Sequence, residues 1–535
     1  MAARFDYTPA GLQSLVRDFR AGKLDLFPQR QPGPKRAPAK DAARARVIEL
    51  RLAGHSIDEI SEALAAEGTP LNRTGVSELI AEEGLPRIWR RPEHQRGPVR
   101  RDQLPRAKVL DFAELSPASP TRVAGLLLAV PDLVALDLPA LVHKAGYPGT
   151  REIPALSSIL ALLALKLTAT RRVSHVEDLA ADPGAALFAG LATLPKKSSL
   201  TAYSYRLDHT RQRAFLAALD TAMLTAGLAE GSVFDLDFHA VMHWGEDPVL
   251  EKHYVPRRSQ RTRSVLTFFA QDSGTHNLVY ANADLAKATQ NREVLTFCDH
   301  WRQLSGADPA MLVLDQKVTT HKVLGELDQR GVQFLTLRMR SPALVRHIDN
   351  LPATAYKTIT LDRDAKHRKP KVCEQHQVKL TGYPGTVRQL IVTGLGRDTP
   401  TVIITNDHTT PAKQLIERYA RRMTIEQRLA EAIRSFHLDA LSSAVPLNVD
   451  LDVALSVLAS AVCAALRRRL PGYHTTTPDT LQRHFLGVSG QIFNHGQVIT
   501  VRIDRRTHSP VLRSANLPQV AVPWWGGRTL RYELA

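Results

Sequence analysis

The chain has 535 residues, 44% of them hydrophobic and 23% charged, with a net charge of +17. That length allows about two to four domains with real cores, and the positive balance favours a polyanionic partner, nucleic acid or an anionic membrane surface. The apolar stretch ILALLALKLTA (159–169) is too short to span a bilayer and contains Lys166, and the N-terminus MAARFDYTPAG lacks a signal-peptide core. Cys298, Cys373 and Cys463 form no CxxC pair, so neither a disulfide frame nor a thiolate zinc site is supported. These readings point to a cytoplasmic, nucleoid-associated protein that binds nucleic acid and not membrane.

In chain order, an N-terminal arm and linker (1–40) ends in the Pro-rich, basic PQRQPGPKRAPAK. Three short helices follow in 41–92. Ser56 with Glu59 three residues on reads as a capping box. The last two helices, joined by a tight turn, suggest a helix-turn-helix domain with a recognition helix near residues 73–80 and Arg73 and Thr74 facing DNA. The segment RIWRRPEHQRGPVRRDQLPR (87–106) carries seven arginines in twenty residues and runs into a basic linker at 93–120. Residues 121–230 read as a helical domain; within it, Lys196, Lys197 and Arg206 beside Tyr203 and Tyr205 suit a phosphate contact or a plain surface helix start.

The next region alternates. Strands are expected at 232–241, 264–272 and 277–284, then a helix over 290–304, a strand at 310–316, a helix over 320–330 and a strand at 332–340. That order predicts an α/β class: a mixed sheet flanked by helices. Residues 346–408 turn β-rich again, with YKTITLD, VKLTGY, VRQLIVTGL and PTVIITND as strand candidates. A long helix is expected from Pro411 to Phe436, another at 450–470, and an irregular tail over 471–535, where Trp524 and Trp525 read as core.

Asp235 and Asp237 are two apart on the first strand and so share a face. Asp315 ends the fourth strand, where α/β sheets place ligand-binding groups. Tyr419, Arg422 and Glu426 share a helical face. Each alone has a plain reading: a strand end paired with an arginine, a helix cap, a surface ion pair. Together, an acid in the first strand, an acid ending the fourth and an acid on a late helix match the way an RNase H-like fold gathers three carboxylates around divalent metal. Oxygen ligands suit Mg²⁺ or Mn²⁺, and two such ions about 4 Å apart serve in-line displacement at phosphorus. His239, His243 and His253 could suggest a zinc site, but no thiolate or HExxH supports one.

The segments LDFHAVMHWG, EKHYVPRRSQRTRSVLTFFAQD, LVLDQKVTTHKVLGEL, FLTLRMR and RYARRMTIEQ resemble a DDE transposase of bacterial insertion sequences with a β-rich insertion. The last carries the signature Tyr, two residues, Arg, three residues, Glu. The resemblance covers 232–469 and implies an RNase H-like core in two parts, 231–345 and 409–470, interrupted by the insertion at 346–408. It implies Asp237, Asp315 and Glu426 as catalytic metal ligands for two Mg²⁺ ions, with Asp235 the replacement if the register shifts by two. It further implies that Tyr419 and Arg422 contact a phosphate near the cleaved end. The insertion would touch the transposon end through Lys366, His367, Arg368, Lys369 and Lys371. Arg257, Arg258, Arg261 and Arg263, just after the first strand, would approach the scissile phosphate. The signature's later Lys is replaced by Ile433, beside Arg434. The implied function is metal-dependent cleavage at element ends and strand transfer into double-stranded target DNA by a homodimer on paired ends. The alternatives are a catalytically dead DNA-binding regulator and a metal-dependent nuclease without strand transfer.

Overall fold

A computed structural model describes residues 9–22, 38–86, 106–242, 251–255, 260–362, 368–396, 399–438 and 446–534. The chain divides into two compact units, Met1–Asp102 and Gln103–Ala535.

In the first unit, the stretch expected to be an arm contains a helix, α1 (Pro9–Arg20). Helices α2 (Pro38–Leu52), α3 (Ile57–Ala66) and α4 (Arg73–Glu82) close around Val47, Leu50, Ile60, Leu64, Val76 and Leu79. The capping box forms: the Ser56 N–H donates to Glu59 Oε2 at 2.7 Å and the Glu59 N–H to Ser56 Oγ at 3.3 Å. Asn72 caps α4 by accepting from the Gly75 N–H at 2.8 Å, and each such cap contributes about 1 kcal/mol. On α4, Glu78 and Glu82 pair with Lys40, and Glu82 and Glu83 pair with Arg44. These pairs pin α4 to α2 and leave Arg73 and Thr74 exposed at its N-terminal end.

In the second unit, β1 (Ala118–Thr121) precedes a run of helices: α5 (Val130–Ala135), α6 (Leu138–Lys144), α7 (Ala155–Leu167), α8 (Glu177–Ala180), α9 (Pro183–Ala189), α10 (Lys197–Tyr203) and α11 (His209–Thr225). Ten strands form the main sheet among the described residues: β2 (Val233–Met242), β3 (Lys252–Val255), β4 (Gln260–Asp272), β5 (Leu278–Asn282), β6 (Met311–Leu314), β7 (Gln333–Leu337), β8 (Lys357–Thr358), β9 (Lys371–Lys379), β10 (Thr386–Thr393) and β11 (Thr401–Thr405). Strand β2 is antiparallel to β4 and parallel to β6, β6 is parallel to β7, and β5 pairs with β4. Between strands lie α12 (Glu293–Ser305), α13 (His321–Gln329) and α14 (Pro342–Asp349).

Two expectations change here. The β-rich stretch makes no sheet of its own: β11 pairs antiparallel with β7, and β10, β9 and β8 continue the same sheet outward. The strand expected at VKLTGY lies earlier, at Lys371–Lys379. Its Val372 and Cys373 are buried among mostly polar neighbours, which hides the strand pattern in the sequence.

Alternation assigns the two sheet faces. Phe234 meets Phe297 and Trp301 of α12, with ring centroids 5.0 and 4.5 Å apart, geometry suited to aromatic packing. The odd-numbered neighbours turn the other way. Val313 and Leu335 pack with Leu415 and Ile416 of α15 (Ala412–Arg421). The helix expected to run unbroken to Phe436 divides at Arg422, and α16 (Met423–Phe436) follows. At the break the Arg422 N–H bonds Tyr419 O at 3.1 Å and the Ile425 N–H bonds Arg422 O at 3.0 Å. Both are i to i+3 links, tighter than the α-helical pattern.

Helix α17 (Pro446–Arg469) packs on α7, α11 and β5. Its span Val449–Arg469 is long and apolar enough to cross a membrane, unlike the shorter stretch singled out in the sequence, yet 83% of that apolar window is buried in the protein. The tail expected to be irregular is ordered. After α18 (Pro478–Leu481), strands β12 (Gly490–Asn494), β13 (Val498–Ile503), β14 (Val520–Val522) and β15 (Arg528–Leu534) join β1 in a second sheet, with α19 (Ser509–Ser514) between β13 and β14. Trp524 and Trp525 donate their indole N–H groups to Phe188 O and Leu187 O at 3.1 and 2.9 Å, docking the tail on α9.

Candidate active site

The register brings two acids side by side. In the parallel pair β2–β6, Leu236 sits opposite Leu314, so Asp237 and Asp315 are next in line just past the end of β6. Both point to the face covered by α15 and α16, which carry the third acid, Glu426. Four residues of helix rise about 6 Å and two residues of strand about 7 Å. Arg418 and Arg422 therefore keep step with Asp235 and Asp237, which yields two ion pairs of different kinds.

The inner pair is a closed structural contact. Asp235 is fully buried and Arg418 Nη2 lies 3.1 Å from its Oδ1, while Ser273 Oγ donates to Oδ2 at 3.0 Å. Burial pushes the Asp235 carboxyl up and Arg418 pulls it back. Nearby Asp272 fixes the frame, accepting from the backbone N–H groups of Glu230, Gly231, Gly274 and Thr275 at 2.8–3.1 Å.

The outer arginine stands among all three expected ligands. Arg422 Nη1 lies 3.7 Å from Asp237 Oδ2, and Nη2 lies 3.6 Å from Asp315 Oδ1 and 2.7 Å from Glu426 Oε1. The Arg422 side chain is 7% exposed, against 18%, 40% and 49% for the three acids. The cluster is thus open on one side and closed behind the guanidinium. Burial pushes the Asp237 carboxyl up to about 7; Arg422 opposes this, and Asp315 and Glu426 reinforce it. Tyr419 completes the wall, its ring centroid 5.8 Å from the guanidinium carbon and its phenol pushed up to about 12 by burial.

Residues 231–460 match the family model described as Transposase DDE domain. This stretch belongs to that family. A comparison with curated proteins gives no significant match. Transposase DDE domains act on DNA and use divalent metal, and Asp237, Asp315 and Glu426 all fall within the matched DDE domain. Among the described residues no three His, Cys, Asp or Glu side chains are close enough together to hold one metal ion. The Arg422 guanidinium stands among the acids of the DDE domain. The donor set fits a hard divalent cation: three carboxylates already arranged about one positive centre, two of them solvent-accessible.

The other expected contacts scatter. Arg257, Arg258, Lys366 and His243 lie outside the described residues. Arg261 and Arg263 stand on β4, but Phe269 is the partner of Asp237, so they sit roughly 20–27 Å along the strand from it at ordinary strand rise. That corrects the expectation that they approach the acids. Arg368 and Lys369, just before β9, and Lys371, its first residue, are exposed. Asp362 is tied to α15: Lys413 pairs with it at 2.8 Å and its N–H donates to Glu417 at 2.6 Å. Arg73 pairs with Asp58 at 2.7 Å on an exposed surface. His253 bonds Ser264. Ile433 is buried in the core and Arg434 is exposed one residue on, so no cation occupies the signature's later Lys position. Sequence reasoning missed Arg418; its signal was the matched spacing of the 418/422 arginines and the 235/237 aspartates.

Proposed function

We propose that this chain is an RNase H-like DDE transposase that cuts double-stranded DNA at the ends of its element and transfers the freed 3′ end into target DNA. The observation that carries this reading is the gathering of Asp237, Asp315 and Glu426, from β2, β6 and α16, around one cationic centre inside a transposase DDE domain. The strand order β5–β4–β2–β6–β7, antiparallel then parallel, supports the RNase H-like assignment. Asp237, Asp315 and Glu426 would hold two Mg²⁺ ions, with Mn²⁺ able to substitute. Bound metal supplies activation of a water and charge stabilisation at the leaving oxygen.

The protein's own groups position the DNA. Tyr419 and Arg422 line the wall facing the acids and would meet the phosphate next to the cleaved bond. Arg368, Lys369 and Lys366 would hold the end DNA through its backbone, as would Arg257, Arg258, Arg261 and Arg263. In the first unit, Arg73 and Thr74 at the N-terminal end of α4 would read the element as part of a helix-turn-helix, where recognition helices make base contacts. Joining two ends implies a homodimer on paired ends, working in the cytoplasm at the nucleoid.

The test is a Mg²⁺-dependent cleavage assay on DNA carrying the element's ends, comparing wild type with Asp315→Ala. Loss of cleavage by at least about a hundredfold is expected, with DNA binding retained. Equal cleavage by the two proteins would reject the assignment.

A further inference from the structure

We infer that Arg422 is an exchangeable counter-ion: its guanidinium and divalent metal occupy the Asp237–Asp315–Glu426 cluster in alternation, and Arg422 leaves when metal enters. The inference rests on the proposed reading of those acids as metal ligands. One side chain serves all three carboxylates at 2.7–3.7 Å, so it stands in the space an ion shared by them would take. Two cations in that space repel each other, so occupancy by one excludes the other.

The arginine is held by charge and by one hydrogen bond, donated from Nη2 to Glu426 Oε1 at 2.7 Å, and not by a closed set of them. Among the described residues, Arg422 Nε and Nη1 have no hydrogen-bond partner although the side chain is 7% exposed. Arg388, 4% exposed, is the contrast: its Nε donates to Glu374 at 2.7 Å and its Nη1 to Asp407 O and Thr410 O at 3.2 and 2.6 Å. Arg418, one turn before Arg422, donates to both Asp235 and Ser273. Those two arginines are fixed parts of the frame. Arg422 also sits at the junction of α15 and α16, a place where the side chain can reorient without opening the interior of either helix. The open side of the cluster, where Asp315 and Glu426 are 40% and 49% exposed, gives metal a route in.

The experiment uses the full chain, Mn²⁺ as probe, binding read from the loss of the free Mn²⁺ electron-paramagnetic-resonance signal, and thermal unfolding with and without chelator. The variants are Arg422→Gln, Arg422→Lys and Asp237→Asn. Arg422→Gln is expected to bind Mn²⁺ at least tenfold more tightly than wild type, to melt lower in chelator and to gain more melting temperature from Mn²⁺. Arg422→Lys should fall between them, and Asp237→Asn should lose binding. If Arg422→Gln folds only with Mn²⁺, that too supports exchange; if it folds in neither condition, Arg422→Lys against wild type decides by the same comparison. Mn²⁺ affinity unchanged or weaker on removing Arg422, with binding still abolished by Asp237→Asn, overturns the exchange alone. No binding by wild type overturns the metal reading and the exchange together.

Discussion

Asp235 and Asp237 share a strand face and each meets an arginine, yet they have different consequences. Asp235 is sealed with Arg418 and Ser273. Removing one member of a buried pair leaves an uncompensated charge, a loss of about 3–5 kcal/mol. Asp235→Asn is therefore expected to lower stability by roughly that amount in chelator and in Mg²⁺ alike, read by chemical denaturation. Asp237→Asn should cost far less stability, because Asn cannot carry the charge that burial disfavours there, while abolishing cleavage. A large stability loss at Asp237 with intact cleavage would reverse the two roles. The three acids could be singled out in the sequence because strand alternation and the Tyr-Arg-Glu signature are local patterns, and the structure gathers them about Arg422. The position of Arg422 among them was not, since it depends on how α15 lies against β2, which no local spacing records.

Among elements, α11 and α12 meet at a buried carboxylate. Asp220 is fully buried, accepts from His300 Nε2 at 2.8 Å, and its Oδ1 has no partner among the described residues. Burial pushes its pKa up to about 6, against the hydrogen bond from His300. A raised carboxyl favours the folded state while protonated. The contribution is thus fully present below about pH 4 and is lost as pH rises through 6, a change of about 3 kcal/mol. Denaturant unfolding from pH 4 to pH 7 should show wild type losing stability relative to Asp220→Asn; parallel curves would refute the assignment. Strands β2, β4, β5, β6 and β7 were readable because their apolar runs are strong. Strand β9 was not, because its residues are mostly polar. The break at Arg422 was not readable either, because RYARRMTIEQ has helical propensity throughout.

Across the second unit, the tail and the early helices brace the helix bearing Glu426. Lys166 of α7, buried, donates to Phe436 O at 2.8 Å at the C-terminus of α16, where a cation is favoured, and pairs with Asp452 at 2.5 Å. Gln482 donates to Lys166 O and Ser435 O at 2.9 and 3.0 Å. Gly125, in the turn before α5, leaves no room for a side chain: a Cβ there would stand 1.7 Å from Phe485 O. Gly125→Ala must push the tail away, at a cost of about 3 kcal/mol or more. We expect a melting temperature several degrees lower and weaker cleavage, although the residue is far from the acids in sequence; a wild-type melting curve would show that the tail is not clamped there. These links join segments separated by hundreds of residues, which is why the tail read as irregular.

The most direct test of the account is anomalous diffraction from crystals of the full chain soaked in Mn²⁺. The account predicts anomalous density bounded by the carboxylates of Asp237, Asp315 and Glu426, with the Arg422 guanidinium displaced from its place between them. Ordered Mn²⁺ elsewhere, with that guanidinium still seated among the three acids, would contradict it.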